Sequence, residues 1–307
     1  MSRALGNSSG SQPSVTYHRL SAGMGSGSAQ ELTEAARRLG AGGFDAVVII
    51  GGNPAFNAPA DAFFSEALRN AANVVHLSDY VDETSRLANW HVNRAHFLEA
   101  WGDGRSYDGT ASVIQPQIQP LHGGMSEIEF LNVLLTGAET PGFDLVRQTW
   151  AEAGARADSD WERILHDGFD ASTAGGYAVA SPAISSSYAT RMRQSASQTA
   201  AGEPDGLEIT IRPDAKLFDG RYANNGWLME LPDPMTKITW DNVALMSPAT
   251  AQSLGLPLER HLSDQSAPIV RIEANNASIE IPAWIQPGHA DGSVTLTAGY
   301  GRTGIGR

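Results

Sequence analysis

Ala46-Val47-Val48-Ile49-Ile50-Gly51-Gly52-Asn53-Pro54 decides how the first half of this chain is read. A short, continuous apolar run ended by glycine suits a strand covered on both faces, as in a parallel sheet. Working outward, Ser28 and Glu31 have capping-box spacing, and Leu32, Ala35, Ala36 and Leu39 repeat along one helical face. Gly40, Gly42 and Gly43 stop that helix. On the other side, the spacing predicts a helix over about 60–71 with Phe63, Phe64, Ala67 and Leu68 inward. A second buried strand, Val74-Val75-His76-Leu77, follows. Strand, glycine turn, helix and strand make a βαβ unit, whose crossover is right-handed.

The rest of the chain divides by composition. Residues 1–27 are rich in Ser and Gly and read as a flexible lead-in, with order beginning at Ser28. Residues 28–169 form an α/β domain. Its stretch 102–125 is turn-rich, and Ser126/Glu129 and Ser159/Glu162 again have capping-box spacing before apolar residues. Residues 170–206, with almost no aliphatic periodicity, read as a linker or excursion. From 207 to 307 the period changes to two: Leu207, Ile209, Ile211; Val270, Ile272, Ala274; Ile279, Ile281, Ala283, Ile285; Val294, Leu296, Ala298. Asn275-Asn276 between two of these runs favours a tight hairpin turn. Ser247 as N-cap, Pro248 at the first position and Gly255 past the end mark one short helix. This third is mainly β and reads as a small barrel.

Of the 307 residues, 21 are Lys or Arg and 34 are Asp or Glu, so the formal charge is −13. That balance argues against nucleic acid or an anionic membrane surface as the main partner. The absence of cysteine excludes disulfides, thiolate nucleophiles and cysteine-ligated iron–sulfur clusters within this sequence. No run of 18 or more apolar residues offers a direct membrane span. The first residues lack an apolar export core and a twin arginine, so no export signal is expected.

The turn Gly51, Gly52, Asn53, Pro54 is the first candidate ligand site. It lies at the carboxyl end of a parallel strand, where open α/β sheets receive ligands, and the next helix N-terminus would favour an anion. The competing reading is a sharp turn that needs glycine. His76 and Asp79 close the second strand, followed by Asp82, Glu83 and Thr84; an acidic group there either bonds a ribose or base, or caps the next helix. His76, His91, His96 and His122 read as packed or surface histidines, since His91 and His96 do not share a helical face.

Two sets of motifs carry a family resemblance. Val47 to Pro54, Val81-Asp82-Glu83-Thr84-Ser85-Arg86-Leu87-Ala88 and Ala95-His96-Phe97-Leu98-Glu99 resemble the nucleotide-binding domain of the molybdopterin oxidoreductase (dimethyl sulfoxide reductase) superfamily. Ala244 to Ala251, Leu254-Gly255, Val270 to Glu273 and Ile281-Pro282-Ala283 resemble that superfamily's dinucleotide-binding double-psi barrel. The narrower set is Ala88 to Asp103, Tyr107-Asp108-Gly109-Thr110, Gln115 to Leu121, Asn224 to Leu228 and Leu231 to Pro234. It resembles the iron–sulfur, molybdopterin-like subunit of alternative complex III, a bacterial quinol:electron-acceptor oxidoreductase.

The narrower resemblance implies a non-catalytic scaffold region of a respiratory complex. Its partners would be cluster-bearing and haem-bearing subunits at the periplasmic face of the bacterial inner membrane. It implies no cofactor in this chain, with iron–sulfur clusters on a missing region or a partner, and a chain that is one piece of a longer or split product. The alternative it implies is a fragment of an active molybdopterin oxidoreductase that binds a pterin guanine dinucleotide. There Gly51, Gly52, Asn53 and Pro54 would meet the phosphates, with Asp79 or Glu83, and Thr84, toward the guanosine end.

Overall fold

The computed structural model describes residues 14–15, 17–18, 27–154, 157–175, 178–179, 187–199, 206–258, 267–274 and 277–304. In chain order its elements are β1 (Tyr17–His18), α1 (Ala29–Gly40), β2 (Val47–Ile50), α2 (Pro54–Asn57), α3 (Phe64–Arg69), β3 (Val74–Ser78), β4 (Trp90–Asn93), β5 (Gly102–Arg105) and β6 (Ala111–Ile114). They continue with α4 (Glu127–Thr136), α5 (Gly142–Ala153), α6 (Asp158–Asp167), β7 (Phe169–Asp170), β8 (Ala178–Val179), α7 (Tyr188–Thr199) and β9 (Glu208–Pro213). The last are α8 (Gly226–Glu230), β10 (Ala244–Met246), α9 (Pro248–Ser253), β11 (Ile269–Ala274), β12 (Ala277–Ile285) and β13 (Ser293–Ala298). Two compact units result: Met1–Gly52 with Ala58–Tyr188, and Asn53–Asn57 with Ala189–Arg307.

The first unit contains the expected parallel sheet, in the order β2-β3-β4. Val47 pairs with Val74 and Ile50 with Leu77, while Val75 pairs with Trp90 and Ser78 with Asn93. Strand β4 is an addition to the sequence reading: Trp90-His91-Val92-Asn93 has no apolar run to announce it. Helix α1 begins at Ser28 with both capping-box bonds formed. Its Ala36 and Leu39 pack with Phe64, Ala67, Leu68 and Val74, and with Val47 and Ile49 from β2. Val48 and Ile50, on the opposite face, are exposed. The expectation that β2 is covered on both faces is therefore corrected. β2 is an edge strand, and the described helices cover one face of it.

The helix expected over 60–71 is interrupted. A 3-10 turn spans Ala60–Ala62, Phe63 takes a left-handed conformation with φ of 49°, and α3 starts at Phe64. The break turns Phe63 out to solvent while Phe64 stays in the core. The turn-rich stretch holds an antiparallel pair, β5 with β6, which β7 extends. Ala111 and Val113 pack against Val146, Trp150, Trp161 and Ile164 from α5 and α6. Ser126 caps α4 with the reciprocal Glu129 bonds, as expected. Ser159 does not cap α6; Ala157 occupies that place, and Ser159 lies within the first turn.

The lead-in is not uniformly structureless, because β1 pairs antiparallel with β8. The stretch read as a linker includes helix α7.

In the second unit, five strands form a mixed sheet in the order β11-β12-β10-β13-β9. β12 and β10 are parallel, as are β13 and β9; β10 runs antiparallel to β13 and β11 to β12. Ala244, Met246, Ala251, Ile281, Ala283 and Val294 make its core. The expected barrel is corrected: among the described residues no pairing joins β11 to β9, so the sheet stays open. Ile211 and Ile269, on those edge strands, are exposed accordingly. Between β9 and β10 the chain makes polar turns around Asp214 and Asp233 rather than a closing strand. The Asn275-Asn276 turn lies outside the described residues, although all of β11 pairs with the first six residues of β12, Ala277 to Pro282. Ser247 caps α9 with Pro248 following, as the sequence predicts.

Candidate functional site at the ends of the parallel strands

Strands β2, β3 and β4 end side by side at Ile50, Ser78 and Asn93. The residues that follow are Gly51-Gly52, Asp79 and Arg94, which the topology gathers at the carboxyl edge of the sheet. Gly51 and Gly52 have φ of 63° and 67°, a conformation that favours glycine. The Gly51 N–H donates to Leu77 O, and the Arg94 N–H to Ser78 O, which locks the turn to the sheet.

Arg94 dominates the electrostatics of this edge. Its Nε and Nη2 donate to the two carboxylate oxygens of Asp79, each at 2.9 Å, and its Nη1 donates to Glu127 Oε1 at 3.0 Å. These carboxylates raise the pKa of the guanidinium further, with the Asp79 hydrogen bonds the largest cause. A Cβ at Gly51 would lie 2.8 Å from Arg94 Nη1. Gly51 is therefore needed for the arginine to approach. A Cβ at Gly52 would meet nothing within 4 Å among the described residues, so that side of the turn is open.

The other candidates separate. Asn53 and Pro54 belong with the second unit, where α2 is a single turn; the N–H groups of Phe56 and Asn57 bond Asn53 O. One turn has too small a dipole to hold an anion as the sequence reading expected. Within that unit Asn57 donates to Asp219 at 3.1 Å, and the Arg302 guanidinium lies over the Phe56 ring. Thr84 is fully buried, Glu83 is partly buried, and the Asp82 carboxylate accepts the Ser85 N–H at 2.9 Å. Asp82 thus holds the turn that leads into Ser85, and Asp79 pairs with Arg94.

A buried polar chain runs beneath the edge. His76 is fully buried on β3, with Nδ1 2.8 Å from Ser85 Oγ and Nε2 3.1 Å from Gly52 O. Ser85 Oγ is also 2.9 Å from His91 Nδ1. Burial lowers the pKa of His76, opposed by the carboxylate of Asp82. Arg94, Glu127, Ser85 and His91 were not singled out as site residues from sequence. The only signal for His91 was its alignment with His76 across neighbouring strands, which needs β4 to be recognised first.

Among the described residues, no group of three or more His, Asp or Glu side chains is placed to hold a metal ion. None of their helices is long and apolar enough to cross a membrane.

No protein-family model matches the chain, and no curated protein matches it in sequence. Solved structures do match, 46 chains of them. Acetylene hydratase from Pelobacter acetylenicus superposes with a TM-score of 0.59 at 18% identity. The match covers 88% of this chain and 39% of that one, so this chain spans well under half the length of the enzyme it resembles. At this identity the likeness is one of fold. The chain thus shares its fold with part of that enzyme.

Proposed function

We propose that this chain is the cofactor-cradling part of a molybdopterin-oxidoreductase-type protein and receives the nucleotide end of a pterin guanine dinucleotide at the carboxyl edge of its parallel sheet. One observation carries this reading: three adjacent parallel strands end on Gly51-Gly52, Asp79 and Arg94, with the Gly52 side of the turn open. Such an edge is where open α/β sheets receive nucleotides. The fold likeness to acetylene hydratase supports it.

The residues fit the group chemically. Arg94 would meet the diphosphate as a planar, bidentate donor, and Gly52 would let it approach the backbone. Asp79, exchanged from Arg94, would accept from the guanosine. When bound, the pterin supplies a metal-centred reactive group; this chain's residues bind and orient its far end.

A second reading is favoured by one specific feature. The Arg94 guanidinium already fills the space beside Gly51 and engages both oxygens of Asp79. In that reading the edge is closed by its own ion pairs. The chain then serves as the non-catalytic scaffold region of a quinol-oxidising complex of the alternative complex III type, packed against cluster-bearing and haem-bearing subunits at the periplasmic face of the inner membrane.

The two readings part in one experiment. The whole chain is produced in a host that makes the pterin dinucleotide, purified, acid-oxidised and assayed for pterin fluorescence and released guanine nucleotide. The first reading expects both in near-equal amount to the protein, and a marked loss in Arg94→Ala. Protein free of pterin and nucleotide overturns it and favours the scaffold.

A further inference from the structure

With the contacts it makes, the polar chain beneath the strand ends is one hydrogen short when both of its histidines are neutral. It runs from Gly52 O to His76 Nε2 at 3.1 Å, from His76 Nδ1 to Ser85 Oγ at 2.8 Å, and from Ser85 Oγ to His91 Nδ1 at 2.9 Å. It then passes from His91 Nε2 to Asn93 Oδ1 at 3.1 Å, and Asn93 Nδ2 donates to His122 O at 3.2 Å. The two ends fix the hydrogens. A backbone carbonyl only accepts, so His76 Nε2 carries a hydrogen. Because Asn93 donates to His122 O through Nδ2, its Oδ1 faces His91, and His91 Nε2 carries a hydrogen as well.

With both rings neutral, each Nδ1 is then a bare acceptor facing Ser85 Oγ. One hydroxyl hydrogen serves only one of them, and two acceptors are left in contact. The Tyr80 carbonyl, 3.2 Å from Ser85 Oγ, is a further claimant on the same hydrogen and makes the shortage worse. One added proton removes the conflict: an Nδ1–H on either ring donates to Ser85 Oγ, and Ser85 donates to the other ring.

We propose that His76, Ser85 and His91 form a two-histidine proton-transfer site that holds one proton beyond the neutral state and passes it through the Ser85 hydroxyl. In the transfer, the His91 Nδ1 hydrogen moves to Ser85 Oγ as the Ser85 hydroxyl hydrogen moves to His76 Nδ1. His91 loses one proton, His76 gains one, and Ser85 is unchanged.

The charges facing the pair set its direction. Asp82 Oδ1, 3.6 Å from His76 Nδ1, offers a counter-charge to the buried ring. Burial and the neighbouring His91 ring oppose charge on His76. Glu83 and Arg86 share the turn with Ser85, partly buried and exposed respectively. When the added proton is on His76, it places a positive charge directly behind the Gly52 carbonyl. This site does not depend on whether a pterin binds.

The test uses the whole chain, 15N-labelled and free of pterin, with the ring nitrogens of both histidines followed by NMR over roughly pH 5 to 8. The wild type is expected to show one common step, in which both Nδ1 signals respond and one proton is released. Ser85→Ala is expected to split it into two independent steps, and Ser85→Thr, which keeps the hydroxyl, to retain it. Asn93→Leu frees His91 to adopt the other neutral tautomer, so the common step is expected to move to lower pH. Ser85→Thr and Asn93→Leu decide the matter if Ser85→Ala does not fold. Separate steps in the wild type, or an Asn93→Leu profile that does not move, would overturn the assignment.

Discussion

The three-stranded parallel sheet of the first unit and the five-stranded mixed sheet of the second bury different chemistry. In the first, His76, Asp82, Thr84 and Ser85 are buried with the apolar residues. Polar groups hidden from water must find hydrogen-bond partners, so that end of the sheet is specified by a network. In the second, the strands bury the apolar set around Ala244, Met246 and Ile281, and the buried polar residues Asp214, Lys216, Ser247 and Thr250 lie outside those strands. The comparison teaches where each unit tolerates change: the mixed sheet is sensitive to volume, and the parallel edge to hydrogen-bond count.

Volume gives the largest test. Met246 is buried to 1% exposure, and Met246→Ala is expected to cost about 2–5 kcal/mol in urea unfolding followed by tryptophan fluorescence. Met235→Ala, at an exposed site of the same unit, should stay within about 0.5 kcal/mol. Equal losses at the two positions would break the packing account of the second unit.

Next comes Ser247→Ala, which removes both the cap to the Thr250 N–H at 3.0 Å and a 2.5 Å bond to Asp291. A loss of about 1–2 kcal/mol is expected by the same titration. The exposed counterpart, Ser28→Ala on α1, should cost about 0.5–1 kcal/mol.

Arg94→Ala sharpens the first unit's side of the comparison. Its ion pair with Asp79 is partly open to solvent, at 31% and 37% side-chain exposure. The expected loss is about 1 kcal/mol, shrinking as salt is added. A loss insensitive to salt would mean that the arginine acts through packing and not charge.

The last test, at Tyr300, is read at alkaline pH. Burial raises its phenol pKa, and the Asp214 carboxylate that accepts its O–H at 3.1 Å raises it further. A raised folded-state pKa means that this stabilisation is present in full below the unfolded value of about 10. It is lost as pH climbs above that value. Tyr300→Phe removes the bond to the buried Asp214 carboxylate, so it should cost about 1 kcal/mol near neutrality and flatten the alkaline decline, as read from melting temperature against pH.

Much of the scaffold was legible because its signals are local. The apolar runs at Val47 and Val74 became parallel strands, and Ser28, Ser126 and Ser247 became helix caps. Ser159 failed because it lies inside a helix that Ala157 begins. β4 was missed since its residues mix aromatic and polar types without a period. The break at Phe63 was hidden by an apolar spacing that fits an unbroken helix equally well. The site was half legible: glycines after a strand point to its edge, but Arg94 meets Asp79 and Glu127 only through tertiary pairing. The Ser85 bridge likewise needs the two histidines brought onto adjacent strands.

Residues 53–57 belong by contact to the second unit although the chain enters them straight from the parallel sheet. There the Phe56 ring lies against Gly220, where an added Cβ would stand 2.9 Å from it. The C-terminal third is thus not a severable segment. A polypeptide begun at Ala189 would lack an early-synthesised plug, and Phe56 supplied as a free peptide should restore part of what the cut removes. On the ribosome, that early ribbon must wait for Gly220 and Arg302 before its own ring has a seat.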